Sequence, residues 1–360
     1  MRGFCMQSTV WFTDLSAPPG KSLLDKTGNL LRAAGLSERI EPGDLTAVKL
    51  HFGETGNTAF LRPIFVRKVV EEVAAAGGKP FLTDTNTLYL GGRSNAVDHL
   101  RTAVTNGFAY AVADAPIVIA DGLRGESAVP VPVGGRIFRE VSIGAEIVNA
   151  DAMVVLTHFK GHELSGFGGA IKNLGMGCAS RAGKLAQHST VSPFVDPANC
   201  TGCGTCAAHC PSGAISVLSV KALIDSKTCI GCADCIVVCP EHTVKIDWNE
   251  AAPMVQKKMV EHALGALEGK RDSILFLTFV MQISPYCDCY GNSDRPIAPD
   301  VGILASCDPV AIDQASADLV IRAAGSDPFR KTHPSIDWTT QLSYGEEMGL
   351  GSRKYELTTL

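Results

Sequence analysis

The sequence contains no apolar run long enough to cross a bilayer. Its longest apolar stretch, SILFLTFV at residues 273–280, falls far short of the roughly 20 residues a spanning helix needs. No sustained apolar segment followed by a small-residue cleavage site occurs near the start, so no signal peptide is evident. No long Lys/Arg run offsets the formal charge of −5, which argues against nucleic acid as a partner. The GxxxxGK[ST] order of a P-loop is missing, as is any flavin or nicotinamide fingerprint. Charged residues make up only 19% of the 360 positions against 46% hydrophobic, the balance of a globular chain with a well-filled interior. A soluble cytoplasmic protein is expected.

Short apolar runs alternate with helical periods through the first 190 residues. Strands are expected at Thr46–Leu50, Lys79–Thr83, Ile117–Ala120 and Asp151–Leu156, and helices at Pro63–Ala76 and Asp98–Asn106. That alternation predicts an α/β fold, a mostly parallel sheet with helices on both faces. The period breaks near Pro193 and resumes with a helix at Met254–Leu267, strands at Ser273–Val280 and Gly302–Ala305, and an Asp308-initiated helix. The reading is therefore one α/β domain built from residues 1–192 and 248–360, interrupted by a small α+β insert at 193–247. A separate C-terminal domain is the alternative.

The insert holds eight of the thirteen cysteines. CTGCGTCAAHCP begins at Cys200 and CIGCADCIVVCP at Cys229, and both follow C-x2-C-x2-C-x3-C-P. Three closely spaced thiolates grip one cubane, and the fourth, starting a short helix that points away, serves the other. Cys200, Cys203, Cys206 and Cys239 are thus assigned to one [4Fe-4S] cluster, and Cys229, Cys232, Cys235 and Cys210 to a second. Eight thiolates and two clusters would take the net charge to about −9. The stretches SGAISV and EHTVKI read as short strands that pair with each other. Zinc held by the CxxC pairs is the competing reading, but zinc sites commonly separate their two pairs more widely. About 50 residues here closely resemble the bacterial two-cluster ferredoxins, which implies one-electron transfer.

The flanks resemble the DUF362 family, of unknown function, through KLHFGETGNTAF with FLTDTNTLYLGGR, through LTHFKGHELSGFGGAIKNLGMGCASRAGKLAQH, and through the segment around CDCYGNSDRPIAPDVGILASCDPVAID. That resemblance supplies a domain and no substrate.

Residues 157–188 set seven glycines among His158, Lys160, His162, Lys172, Arg181, Lys184 and His188. Exposed amides beside cations suit an anionic ligand; a glycine-rich loop that merely wraps the insert is the plainer reading. His158, Lys160, His162 and Lys172 are the expected catalytic residues. His158 and His162 could bind metal or move protons, or form an ordinary hydrogen-bonded pair. Cys287 and Cys289, if extended, would share one face without reaching each other and could hold an additional soft metal, with Cys178 as a further ligand. Those two, Cys178 and Cys307 could equally be buried apolar packing. Asp84, Asn86, Glu54 and Asn57 follow predicted strands and could line the same cleft, as could Asp121 and Arg124.

Three functions fit: a redox enzyme passing electrons through two [4Fe-4S] clusters to a small anionic substrate, a non-catalytic electron carrier docking a redox partner, and a metal- or cluster-handling protein.

Overall fold

The computed structural model describes residues 8–360; the start of the segment examined for a signal peptide, and Cys5, lie outside them. Eight strands form one sheet in the order Tyr355–Thr359, Ser8–Asp14, Gly302–Ser306, Ile274–Val280, Ala152–His158, Leu45–Lys49, Lys79–Asp84 and Ile117–Ile119. Only Gly302–Ser306 runs against its neighbours. The expected mostly parallel sheet with flanking helices is what the chain forms.

Alternation along the central strands explains the two cores. Met153 and Val155 face one side with Phe276 and Leu304, under the helices Ala252–Ala266 and Pro309–Ala324. Val154 and Leu156 face the other with Leu277 and Phe279, under the helices Leu23–Ala33 and Pro63–Ala75. Strands buried on both faces read as continuous apolar runs, as Ala152–His158 does. Helix boundaries follow local chemistry. The Asn95 side chain accepts from the Val97 and Asp98 amides, so that helix starts at Ala96, two residues before its expected position. Asp308 caps its helix as expected, accepting from Val310 and Ala311. Among the described residues no helix is long and apolar enough to cross a membrane.

Residues 157–188 do not form the expected glycine-rich loop. They build a hairpin, Lys160–His162 with Gly166–Gly168, followed by the helices Ala170–Gly175 and Arg181–His188. The glycines serve close packing: a β-carbon at Gly175 would overlap the Met259 carbonyl oxygen of the neighbouring helix.

Between 193 and 247 the chain adds no strand to the large sheet. The expected pairing of SGAISV with EHTVKI does not occur. Ile215–Leu218 folds back on Lys221–Ile224, with Ser219 taking positive φ in the tight turn, while Val244–Lys245 pairs with Phe194–Val195. A local hairpin closes a shorter loop than a long-range pairing, at lower entropy cost. The short helices Thr205–Ala208 and Asp234–Val238 carry Cys206 and Cys235, and Cys239 caps the end of the second. The fourth cysteine of each set thus follows a helix and does not begin one.

Gly175→Ala should destabilise the protein by about 1–3 kcal/mol, the usual cost of overpacking, seen as a lower thermal midpoint with unchanged far-UV circular dichroism.

Candidate functional site

The parallel strands Leu45–Lys49, Lys79–Asp84 and Ala152–His158 end at one edge of the sheet, where open α/β sheets present ligand loops. A cavity of about 410 Å³ lies there. Five cationic side chains line it (Lys49, Arg93, Lys160, Lys172 and Lys184) against two carboxylates, Asp84 and Glu163. Excess positive charge in a concave, largely buried site favours an anionic ligand.

Each cation is held in place. Lys49 Nζ lies 3.0 Å from Asp84, with Arg93 at 3.6 Å and His99 at 3.8 Å. Burial alone would raise the Asp84 pKa, but the Lys49 cation and then Arg93 outweigh it and hold the carboxyl well below the usual range. Asp288, completely buried, takes Lys160 at 3.0 Å and His158 Nδ1 at 2.9 Å. His158 Nε2 faces the Met281 carbonyl at 3.0 Å, so both of its ring nitrogens meet acceptors. Lys184 bonds Thr85 Oγ1 and the Ala179 carbonyl, and burial brings its pKa down to about 8.

His162 plays a different part. Its Nδ1 accepts from the Leu164 and Ser165 amides at 3.1 and 3.3 Å, which leaves the ring proton on Nε2. Burial, with Lys172 nearby, keeps this ring neutral. The structure therefore brings His158, Lys160, His162 and Lys172 to one cavity.

Cys287 and Cys289 are not on extended chain. A turn closed by the Tyr290 amide on the Cys287 carbonyl brings their sulfurs to 2.8 Å. Lys172 Nζ lies 3.4 Å from Cys287 Sγ, and His51 Nε2 lies 3.4 Å from Cys289 Sγ. The hydrogen bond from Cys287 lowers the Cys289 pKa and raises that of Cys287. The sulfur pressure on Lys172 outweighs the burial that opposes its charge and keeps it protonated. Cys287, Cys289 and His51 put three donor atoms within 4.8 Å of one another, a group that could hold a metal ion. Its third member is His51, not Cys178, whose thiol turns to the Asn173 carbonyl at 3.9 Å. Cys307 faces the Ala34 carbonyl on the other side of the sheet.

Of the polar residues marked outside 157–188, Asp84 lines the cavity, while Glu54, Asn57, Asn86, Asp121 and Arg124 are scaffolding. Glu54 accepts from the Gly92 amide at 3.0 Å, Asn57 donates to the Tyr290 carbonyl at 3.0 Å, and Asn86 donates to Asp121 at 2.8 Å. The Arg124 amide donates to Glu126. Sequence reasoning missed Lys49, His51 and Arg93. For Lys49 and His51 the signal was present: a charged residue closing an apolar strand, TAVKLH, is where a ligand edge begins. Arg93 lies in an irregular glycine-rich segment with no such cue.

In the 193–247 segment, Cys200, Cys203, Cys206 and Cys239 line one small cavity. Amides of Ala222 and Thr243 point at Cys200 and Cys239 sulfurs at 3.4 and 3.3 Å, and that of Ala214 at Cys210 at 3.3 Å. Gly202 takes φ +68°, and a β-carbon there would meet the Val220 backbone at 2.5 Å. Cys235 sits near Cys232, Cys229, Cys206 and Cys210; burial first, and then these sulfurs, push its thiol up to about 12. All twelve described cysteines are free thiols. Leu88 and Leu185 complete the segment's small apolar core beside Cys206, Cys235 and Cys239, and Leu88 also lines the 410 Å³ cavity.

Residues 46–318 match the family model described as Domain of unknown function (DUF362). Solved structures that align with the chain include the following two. One is the lactate racemase apoprotein from Thermoanaerobacterium thermosaccharolyticum, at 13% identity and TM-score 0.39, covering 85% of this chain and 56% of that one. The other is a protein from Thermotoga maritima, at 9% identity and TM-score 0.41, covering 92% and 60%. The chain spans less than two thirds of either. No curated protein matches it.

Lys49→Met would leave Asp84 buried without its nearest cation, and should cost about 3 kcal/mol of stability at pH 7 in urea denaturation. The pH dependence carries the sign. Asp84 has a depressed native pKa, so its contribution is present above the unfolded aspartate value of about 3.9. It is lost as the pH falls below that value toward the native one, and the deficit of the variant should shrink over that interval.

Proposed function

This chain belongs to the DUF362 family, and we propose that it is an iron–sulfur redox enzyme whose substrate is a small anion bound in the cavity at the sheet edge. Cys200, Cys203, Cys206 and Cys239 would hold one [4Fe-4S] cluster, and Cys229, Cys232, Cys235 and Cys210 a second. On this reading residues 193–247 are a ferredoxin-like insert in an α/β domain formed by 1–192 and 248–360. The donor set fits the group. Eight free thiols crowd together, neighbouring sulfurs oppose one another's ionisation, and amides aim at three of them, an arrangement that a positive iron core would relieve. Bound there, two such clusters supply single electrons.

The observation that carries the proposal is the shared wall. Leu88 packs in the apolar core with Cys206, Cys235 and Cys239, and it also lines the cationic cavity. A carrier that only docked a partner would have no use for a buried cationic cavity of this size, and a redox protein partner is needed here only to deliver electrons. Thiolates reserved for metal require a reducing compartment, in keeping with a cytoplasmic setting.

The chain's own residues define what happens to the anion. Lys160, Lys172 and Arg93 neutralise it. The Nε2 proton of His162 offers a directed hydrogen bond, and Lys184 at a pKa of about 8 can hold or release a proton near neutral pH. Trp248, packed edge-on against the His188 ring at 4.9 Å, and Met259 keep water from one side.

Protein purified without oxygen should contain about eight irons and eight sulfides per chain. Cys203→Ala should lower both counts and bleach part of the visible absorption, with the large domain still folded. Stoichiometric zinc in place of iron and sulfide would overturn the assignment.

A further inference from the structure

Cys287 and Cys289 face the cavity from a turn of their own, far in sequence from the eight cysteines discussed above, and nothing in the electron-transfer reading uses them. Their setting argues against a metal ion and for sulfur chemistry. His51 Nδ1 accepts the Gly53 amide at 2.9 Å, so the proton of the neutral ring is on Nε2, the nitrogen that faces Cys289 Sγ at 3.4 Å. A ligating imidazole needs the opposite arrangement, with its outer nitrogen donating to an acceptor and its inner lone pair free for the metal. Lys172, 3.4 Å from Cys287 Sγ, sets a fixed positive charge against one of the three donor atoms, which opposes a metal cation there. Asp288, between the two cysteines, is drawn to the opposite side by Lys160 and His158, which leaves both sulfurs directed to the cavity. The sulfurs, 2.8 Å apart, need to approach by less than 1 Å to bond, since a disulfide spans about 2.05 Å.

We propose that Cys287 and Cys289 are a redox-active dithiol, with Cys289 the attacking thiolate, and that the cavity admits a small organic disulfide carrying negative charge. His51 Nε2–H and Cys287 S–H stabilise the Cys289 thiolate, while Lys172 stabilises the thiolate that Cys287 becomes. Cys289 sulfur attacks one sulfur of the substrate R–S–S–R. The substrate S–S bond breaks, a mixed disulfide forms on Cys289, and R–S⁻ leaves carrying the electron pair. Cys287 then gives up its proton to that leaving thiolate and attacks Cys289 Sγ. The mixed disulfide breaks, a second R–S⁻ leaves, and the Cys287–Cys289 disulfide remains. One dithiol, singly ionised, has become a disulfide while one R–S–S–R has become R–SH and R–S⁻. Lys160, Lys172 and Arg93 select for anionic R groups, and the volume of about 410 Å³ limits their size. The return to the dithiol takes two electrons and one proton, and this half rests on the cluster reading above, since two one-electron centres match one two-electron disulfide.

The test uses intact protein, purified without oxygen and first treated with dithiothreitol, which is then removed. It is mixed with 3,3′-dithiodipropionate or with cystamine, a cationic disulfide of the same length. Dithiodipropionate should react at least tenfold faster, releasing two mercaptopropionates per chain and leaving a 287–289 disulfide in peptide mapping. Cys287→Ser should stop at a mixed disulfide on Cys289 with one thiol released, and Cys289→Ser should lose the fast phase. Visible absorption, iron and sulfide are followed on the same samples. They should not change in either variant, and their absence from the wild type would count against the cluster reading while the thiol readouts stand apart from it. Equal rates for the two disulfides, first attack by Cys287, or a metal ion bound one per chain and lost on Cys287→Ser would overturn the dithiol proposal.

Discussion

Asp84 and Lys49 close two neighbouring parallel strands with an ion pair of 3.0 Å that is almost wholly out of water. A buried carboxylate persists only with a paired cation, so the pair ties two strand ends together at the place where a cavity opens. Arg93 and His99 gather on the same carboxylate. Asp288, also buried, repeats the device, holding the cavity residues Lys160 and His158. Because these charges are fixed by burial, the cavity keeps its positive lining without a ligand to organise it. The orientation of Cys287 and Cys289 follows from the same constraint, since the aspartate between them is anchored in the other direction.

The cysteine segment presents the complementary problem. Its eight thiols lie in a small unit with little apolar core of its own, and Leu88 and Leu185 from the flanking chain complete that core. Ionising several of these sulfurs together is costly, as the upward push on Cys235 illustrates. A positive inorganic core, as proposed, would remove that cost and supply the cohesion a unit of this size otherwise lacks. The proposed function follows from putting the two parts together: a cationic cavity and a thiol-rich unit that share one apolar wall.

Much of this was legible in the sequence. The strands rich in Val, Ile and Leu and the Asp308 cap are local signals, and local chemistry decides them. The cations and histidines of 157–188 were marked as a group, and the fold brings all of them except Arg181 to one cavity. The hairpin and helices of that stretch were not legible, because their glycines are there to let backbones approach, as at Gly175 against Met259, and glycine in a sequence reads first as loop. The terminal strands Ser8–Asp14 and Tyr355–Thr359 were also missed; half-exposed strands at and next to the sheet edge lack the continuous apolar run of central ones. His51 beside Cys289, 238 positions away, is a contact that only the sheet topology creates. The turn at Cys287–Cys289 reversed the expectation from extended geometry, because the buried Asp288 turns to Lys160 and His158.

The proposed function requires two [4Fe-4S] clusters side by side in the 193–247 segment, behind the wall that Leu88 shares with the cavity. Electron paramagnetic resonance of the anaerobically reduced protein tests it most directly. Two adjacent reduced clusters should give a spectrum broadened and split by their mutual magnetic interaction, and Cys203→Ala, which weakens one cluster, should simplify it. A single uncoupled signal in the wild type, or no cluster signal in protein that retains its iron, would contradict the account.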